Sequence, residues 1–243
     1  MADQLSLGFD PALPRATAVT PMWPVPRRQP FDSGDHLFEP AWGGHRVLAF
    51  LEPGGGLRIV DGAGTELTTR VSELDGLRRL VDAKTAILDG ELVAVDAHGW
   101  TDHDALAERL AGRPGRPLSL LAFDLLHHNG AWLLGRPLEV RRTLLRKVVA
   151  DGDSLVVVPA VAGEGTALFA AVASQGISGV LARERTSPYL PGVRSRLWRS
   201  IAVRAADADP DADPDAAPLS EDEPERPAAP VLTVLRRLPL DFD

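Results

Sequence analysis

Phe38-Glu39-Pro40-Ala41-Trp42-Gly43-Gly44-His45-Arg46 leads directly into residues 47–51, Val-Leu-Ala-Phe-Leu. That apolar run and residues 57–60 flank Pro53-Gly54-Gly55-Gly56, a turn-forming insert, so the pair predicts a β-hairpin. Further out, residues 86–96, 118–126, 155–158 and 179–183 read as strands. Between them, Ser72 is expected to cap a helix that turns Leu74, Leu77, Leu80 and Val81 inward. Thr101-Asp102-His103-Asp104 resembles a capping box and opens a helix through Leu110. Pro137 opens another, with Leu138, Leu144, Leu145 and Val148 on one face, and residues 166–174 form a third that stops near Gly176. Strands and helices alternate irregularly around a hairpin, which predicts an α+β fold rather than a doubly wound parallel sheet.

The 243 residues suffice for one good-sized domain with tails, and 44% apolar and 25% charged residues are ordinary for a globular chain. No apolar run reaches the length of a membrane span, and nothing at the start reads as a signal peptide, so cytoplasmic residence is the expectation. Cysteine is absent, which excludes disulfides and thiolate metal sites, and the six histidines show no metal-ligand spacing. No metal site is predicted. Between residues 205 and 227 nine acids stand against Arg226 alone, so this stretch carries the whole formal charge of −8 and the remainder sums to zero. A neutral body lacks the broad positive excess of a phosphate-backbone binder, so DNA contact is expected to be weak or indirect, although a local basic patch is compatible with the count. Only Lys84 and Lys147 are lysines; arginine supplies the other 24 cations.

These patterns divide the chain into an extended tail (1–20), a globular body (21–204), an acidic linker expected to be disordered (205–230), and an apolar docking peptide (231–243). A strand returning to the body is the other reading of that last segment.

The stretch at 38–46 resembles the nucleotide-binding motif of ATP-dependent DNA ligases, particularly the bacterial end-joining type, which reads roughly F-E-x-K-W-D-G-x-R. Matches follow in the same order at Leu88-Asp89-Gly90-Glu91, Phe123-Asp124-Leu125-Leu126-His127, Gly179-Val180 and the segment from Tyr189 to Trp198. Five pieces in order, from about residue 21 to 203, are far more specific than any one alone. The resemblance implies a ligase nucleotidyltransferase domain, with antiparallel sheets packed between helices and a nucleotide cleft between them. The chain is expected to lack room for the OB-fold that follows this domain in the family.

In that family a lysine amine attacks the α-phosphorus of ATP to give a lysine–AMP phosphoramidate, and only a deprotonated amine can attack and later leave. That position is Ala41 here, whose methyl has no lone pair. The motif's aspartate is Gly43, and the arginine of the S-R-N-G turn falls at Gly62. The metal-holding glutamate of E-G-V-V-x-K is Ser178 and its lysine Arg183; both lysines of W-x-K-x-K are replaced, by Ser200 and Ala202. Those cations would neutralise a triphosphate and the acid would seat Mg²⁺. The expectation is therefore a pseudoenzyme with no catalytic residue and no required cofactor.

Glu39, Arg46, Glu91, Phe123 and Arg183 remain at positions that the resemblance places at the nucleotide, with Phe123 on the adenine and Glu91 near the ribose. Strand alternation puts Asp89 and Glu91 on one face, which suits a cleft wall. Residual weak binding of ATP or AMP is one reading of this set. The other is structural: Phe123 in the core, Arg46 paired with a carboxylate, and Asp89-Gly90-Glu91 kept for backbone geometry. Pro191-Gly192 and Trp198 read as a turn and a core anchor.

The two ends share L-x-L-x-F-D. Gln4-Leu5-Ser6-Leu7-Gly8-Phe9-Asp10 resembles the Q-L-x-L-x-F peptide by which bacterial repair and replication proteins bind the sliding clamp, and Leu238-Pro239-Leu240-Asp241-Phe242-Asp243 repeats its apolar positions. Gln4, Leu5, Leu7, Phe9, Leu238, Leu240 and Phe242 are the expected contacts; edge strands on the body are the alternative. Together the features predict a ligation-inactive accessory factor in DNA repair and recombination, tethered to the clamp, with other DNA-repair proteins as further candidate partners. A nucleotide sensor, or an active nucleotidyltransferase with another nucleophile, are the competing readings.

Overall fold

The computed structural model describes residues 19–96 and 100–203. The acidic linker and both L-x-L-x-F-D peptides, with Gln4, Leu5, Leu7, Phe9, Leu238, Leu240 and Phe242, lie outside the described residues. The strands are β1 (Trp23–Pro26), β2 (Ser33–Ala41), β3 (His45–Leu51), β4 (Leu57–Asp61), β5 (Ala86–Ala94), β6 (Leu118–His128), β7 (Ala131–Trp132), β8 (Leu155–Val157), β9 (Val161–Gly163), β10 (Gly179–Glu184) and β11 (Arg194–Ala202). The α-helices are α1 (His103–Leu110), α2 (Leu138–Val148) and α3 (Gly165–Ser174). No helix among the described residues is long and apolar enough to cross a membrane.

Two sheets carry the fold. One runs β1-β11-β10-β2-β9; the other runs β4-β3-β5-β6-β7, with β8 added beside β6. Pairing is antiparallel except for β1 on β11 and β8 on β6. This is the α+β arrangement expected, with helices on the sheet faces.

The β3–β4 hairpin pairs Val47 with Asp61 through Leu51 with Leu57, closed by a 3-10 turn at Pro53–Gly55 in which Gly54 takes a positive φ of 80°. Its outer face joins Ala86, Leu88, Leu92, Leu120 and Leu125 in a core covered by Leu74 and Leu77, by Leu106 of α1, and by Leu145 and Val148 of α2. At about 25 cal/mol per Å² of apolar surface, such burial is the main stabilising contribution. Asp102 caps α1, its Oδ1 accepting from the Ala105 N–H at 2.8 Å.

Two expectations are corrected. The segment after Ser72 is a 3-10 helix, Ser72–Leu80, and Ser72 is its first residue, with Val71 at the cap position and no side-chain cap. Leu74 and Leu77 face the core as expected. The body also begins earlier than residue 21: Val19 is buried with Met22, Phe50, Tyr189 and Trp198, and the Thr20 carbonyl accepts from the Gly192 N–H. An apolar side chain between threonines and prolines gives no periodicity by which to recognise it.

Candidate functional site

The register of β2, β10 and β11 places side chains in rungs across one face of the first sheet. Ala41 lies beside Gly179 and Ala202, Glu39 beside Leu181 and Ser200, and Leu37 beside Arg183 and Trp198. Strand alternation turns these rungs to the same side. Ala41, Ser200 and Ala202 are positions where the resemblance assigns amines; the rungs hold methyls and a hydroxyl instead. Arg183 alone keeps a cation.

That cation is turned into the protein. The Arg183 guanidinium carbon lies 4.0 Å from the centre of the Phe123 ring and 4.6 Å from Trp198. Its Nη1 is 3.1 Å from Glu39 Oε2, and Glu39 also pairs with Arg142 of α2. Glu39 is 0% and Arg183 1% exposed. Burial lowers the Arg183 pKa from the ordinary arginine value; Glu39 opposes that shift, while Arg46 and Arg142 reinforce it. Arg142 completes the lock by donating to the Phe123 and Val158 carbonyls at 2.8 and 2.6 Å.

Phe123 reaches this position through a register shift. β5 pairs Asp89 with Asp124 and Gly90 with Ala122, leaving Phe123 as the extra residue of a bulge. Bulges re-aim a side chain out of the regular alternation. Gly90 is needed there, because a Cβ would stand 2.5 Å from the Leu121 carbonyl oxygen.

Arg46 approaches the same ring, its guanidinium carbon 4.5 Å from the Phe123 centre. Its Nε and Nη2 each donate to Asp89 at 2.6 Å, and Nη2 also donates to the Met22 carbonyl. Burial opposes the charge, yet Asp89 more than compensates and holds the pKa above the ordinary arginine value. The Tyr189 hydroxyl donates to Asp89 at 2.7 Å and accepts from the Met22 N–H at 3.0 Å. Glu91, opposite Arg46 on β5, accepts from the Trp42 and Gly44 N–H groups, which fixes the β2–β3 connection. Burial pushes its pKa up, against those two hydrogen bonds.

The remaining acidic positions of the motif form a closed corner. Gly43 has φ of 71°, and a Cβ on it would stand 2.7 Å from Ser178 Oγ and 3.0 Å from His103 Cε1. Residues 43 and 178 are those the resemblance assigns to the motif aspartate and the metal-holding glutamate. Among the described residues there is no group of three or more histidine, aspartate and glutamate side chains able to hold a metal.

Glu39, Arg46, Phe123 and Arg183 are thus brought into one cluster, and Glu91 stands at its edge. The two lysines are both exposed and elsewhere: Lys84 precedes the end of β5 remote from Glu91, and Lys147 lies on the outer side of α2. Three contributors were missed in the sequence: Arg142, Tyr189 and the buried pair of Arg141 with Asp124 at 2.7 Å. The signal existed for the arginines. Leu138, Arg141, Arg142, Leu145 and Val148 share one helical face, so two cations stand within an otherwise apolar stripe.

The family described as "ATP dependent DNA ligase domain" matches residues 28–201. The chain belongs to the ATP-dependent DNA ligase domain family. It is 34% identical over 161 residues to the "Multifunctional non-homologous end joining DNA repair protein LigD" of Mycobacterium tuberculosis H37Rv, covering 66% of this chain and 21% of that protein. It is 35% identical over 142 residues to a "Probable DNA ligase" of Saccharopolyspora erythraea, covering 56% of this chain and 27% of the relative. Among solved structures it resembles a mycobacterial DNA ligase D complexed with ATP and MES, with a TM-score of 0.67 and 27% identity over 78% of this chain and 62% of that one. The ligase domain of M. tuberculosis LigD superposes with a TM-score of 0.66 at 28% identity, over 77% and 60% of the two chains. This chain therefore spans about a fifth of the length of the mycobacterial relatives.

Proposed function

We propose that this protein is a ligation-inactive member of the family, acting as an accessory or scaffold in DNA repair and held at the sliding clamp by its two L-x-L-x-F-D peptides. The observation that carries the reading is the pairing of Ala41 with Gly179 and Ala202 across the sheet, beside an Arg183 that leans on Phe123. No amine stands where phosphoryl attack requires one. The surface that would stack an adenine is covered by a guanidinium. The closed corner at Gly43 and Ser178 gives Mg²⁺ no carboxylate. A chain without chemistry contributes through contacts, and the clamp-binding resemblance of residues 4–9 supplies one. The similarity to LigD, a multifunctional non-homologous end joining DNA repair protein of Mycobacterium tuberculosis, favours that setting.

Capture of the full chain on immobilised bacterial clamp tests the tether. Leu7→Ala with Phe9→Ala should remove most binding, and adding Leu240→Ala with Phe242→Ala the remainder. Arg237 stands where the first copy has glutamine, so the second copy should bind less tightly. Two motifs on one chain gain avidity on a ring with several pockets. Undiminished capture of the four-site variant would refute the tether.

A further inference from the structure

We propose that the acidic segment 205–227 of this chain folds back onto an arginine cluster formed by Arg27, Arg196 and Arg199, where it acts as an intramolecular polyanion covering that surface.

The cluster is built by the first sheet. The β1–β11 pairing sets Val25 beside Arg199 and Pro26 beside Ser200, and the Arg27 N–H donates to the Ser200 carbonyl at 2.8 Å. The same pairing is irregular between Pro24 and Val25. Arg27 lies 4.3 Å over the Phe31 ring, its Nε donating to the Gln29 carbonyl. Arg28 and Arg194 flank the group in sequence, and Arg194 donates to the Pro24 carbonyl. Among the described residues none of these five arginines has a carboxylate within ion-pair distance. Arg199 Nη1 is buried and has no hydrogen-bond partner. Burial, then Arg196, then Arg27 lower the Arg199 pKa, as expected for cations held close together. Glu184 and Asp35 act on the His36 ring, as do Arg199 and Arg27, so two acids stand in the same neighbourhood, but neither is within ion-pair distance of these arginines.

The occupant follows from charge and reach. Nine acids against one arginine occupy 205–227, and the rest of the chain sums to zero. The described chain ends at Val203, whose N–H donates to the Ser178 carbonyl, and Arg199 is four residues earlier, about 13 Å along a strand. Asp207 to Asp215 can therefore return along β11 with a short reversal. Tethering at this distance gives the segment an effective concentration on the order of millimolar, far above that of a free polyanion. From Asp207 to Asp215 every second residue is an acid, a spacing that can meet several guanidinium groups in turn.

The native chain has no cysteine, so two labels can be placed without background. Ala212→Cys and Gln29→Cys, spin-labelled in the full chain, report the distance by pulsed electron paramagnetic resonance. The docked segment predicts a short, narrow distribution at low salt. At about 1 M salt, where the Debye length is about 3 Å, it should lengthen and at least about double in width. The same broadening at low salt is expected for Arg27→Gln with Arg196→Gln and Arg199→Gln, and on adding inorganic polyphosphate to the wild-type chain. Should the arginine variant fail to fold, Asp→Asn at 207, 209, 211, 213 and 215 gives the same test with the body untouched. A broad distribution that ignores salt, polyphosphate and these substitutions would overturn the proposal. None of these outcomes depends on whether the protein binds nucleotide or the clamp.

Discussion

Arg183 and Phe123 lie in contact across the two sheets, the guanidinium carbon 4.0 Å from the ring centre, with Glu39 fixing the cation from its own sheet at 3.1 Å. A cation over an aromatic face is favourable by about 2 kcal/mol or more when desolvated. The ion pair keeps the buried charge from being orphaned. Charge is thus compensated within the cluster, although both Glu39 carboxylate oxygens and all three Arg183 guanidinium nitrogens lack a hydrogen-bond partner among the described residues. The occupied face of the Phe123 ring is what predicts the response to nucleotide.

ATP with Mg²⁺ should leave the melting temperature of the wild-type chain unchanged. Ligand at about 100 times its Kd would stabilise by about 2.7 kcal/mol, a shift of roughly 5–11 °C in a body of this size. Scanning fluorimetry detects that readily. Arg183→Ala should lower stability by about 3 kcal/mol, because Glu39 loses one of its two buried partners. If the cation is what covers the ring, calorimetry on that variant should reveal weak adenosine binding absent from wild type.

Asp89→Ala should cost on the order of 3 kcal/mol or more, since it leaves Arg46 without its bidentate partner in a site where Asp89 is fully buried. Tyr189→Phe should cost about 1–3 kcal/mol by removing the donor to Asp89 and the acceptor of the Met22 N–H. Urea denaturation at constant m-value measures both. A neutral Asp89 variant would mean that the Arg46 pair is not structural.

The hairpin and α2 were legible because each satisfies one local rule: alternation around Pro-Gly-Gly-Gly, and a stripe of leucines at helical spacing. β2 was not, since Gly34, Glu39 and Pro40 break its pattern, nor was β11, where the arginines at 194, 196 and 199 interrupt any apolar alternation although Trp198 reads as a core anchor. Both exist through pairing with β10, and β11 also with β1 some 170 residues away, which no local window contains. Motif order placed Glu39, Arg46, Phe123 and Arg183 in one site. The direction of Arg183 was hidden, because it depends on the bulge at Phe123 and on Arg142 from α2.

Acidification should destabilise the protein through His127 and His36. Burial comes first in lowering both pKa values, with His128 adding to the effect on His127. The unfolded chain binds more protons between those lowered values and the ordinary histidine pKa of about 6.5, so stability rises with pH across that window and is lost below it. Each histidine contributes a slope of at most about 1.4 kcal/mol per pH unit. His127→Phe should keep the edge contact with Trp132 and reduce the slope, as thermal melts between pH 5 and pH 7.5 would show on the scale of about one titrating group.

Ala41→Lys alone should not create a ligase. The amine would enter a rung with Gly179 and Ala202, without phosphate cations and beside the closed Gly43–Ser178 corner. A nick-sealing assay on the full-length variant checks this, and sealing above the wild-type background would show that the lysine was the single deficit.

Intact-mass spectrometry of the wild-type protein after incubation with ATP and Mg²⁺ tests the central claim most directly. With Ala41 in place of the nucleophile and Arg183 seated on Phe123, the mass should be unchanged. A species heavier by one adenylate, stable to denaturation, would show that another residue performs the first step of ligation and would contradict the account.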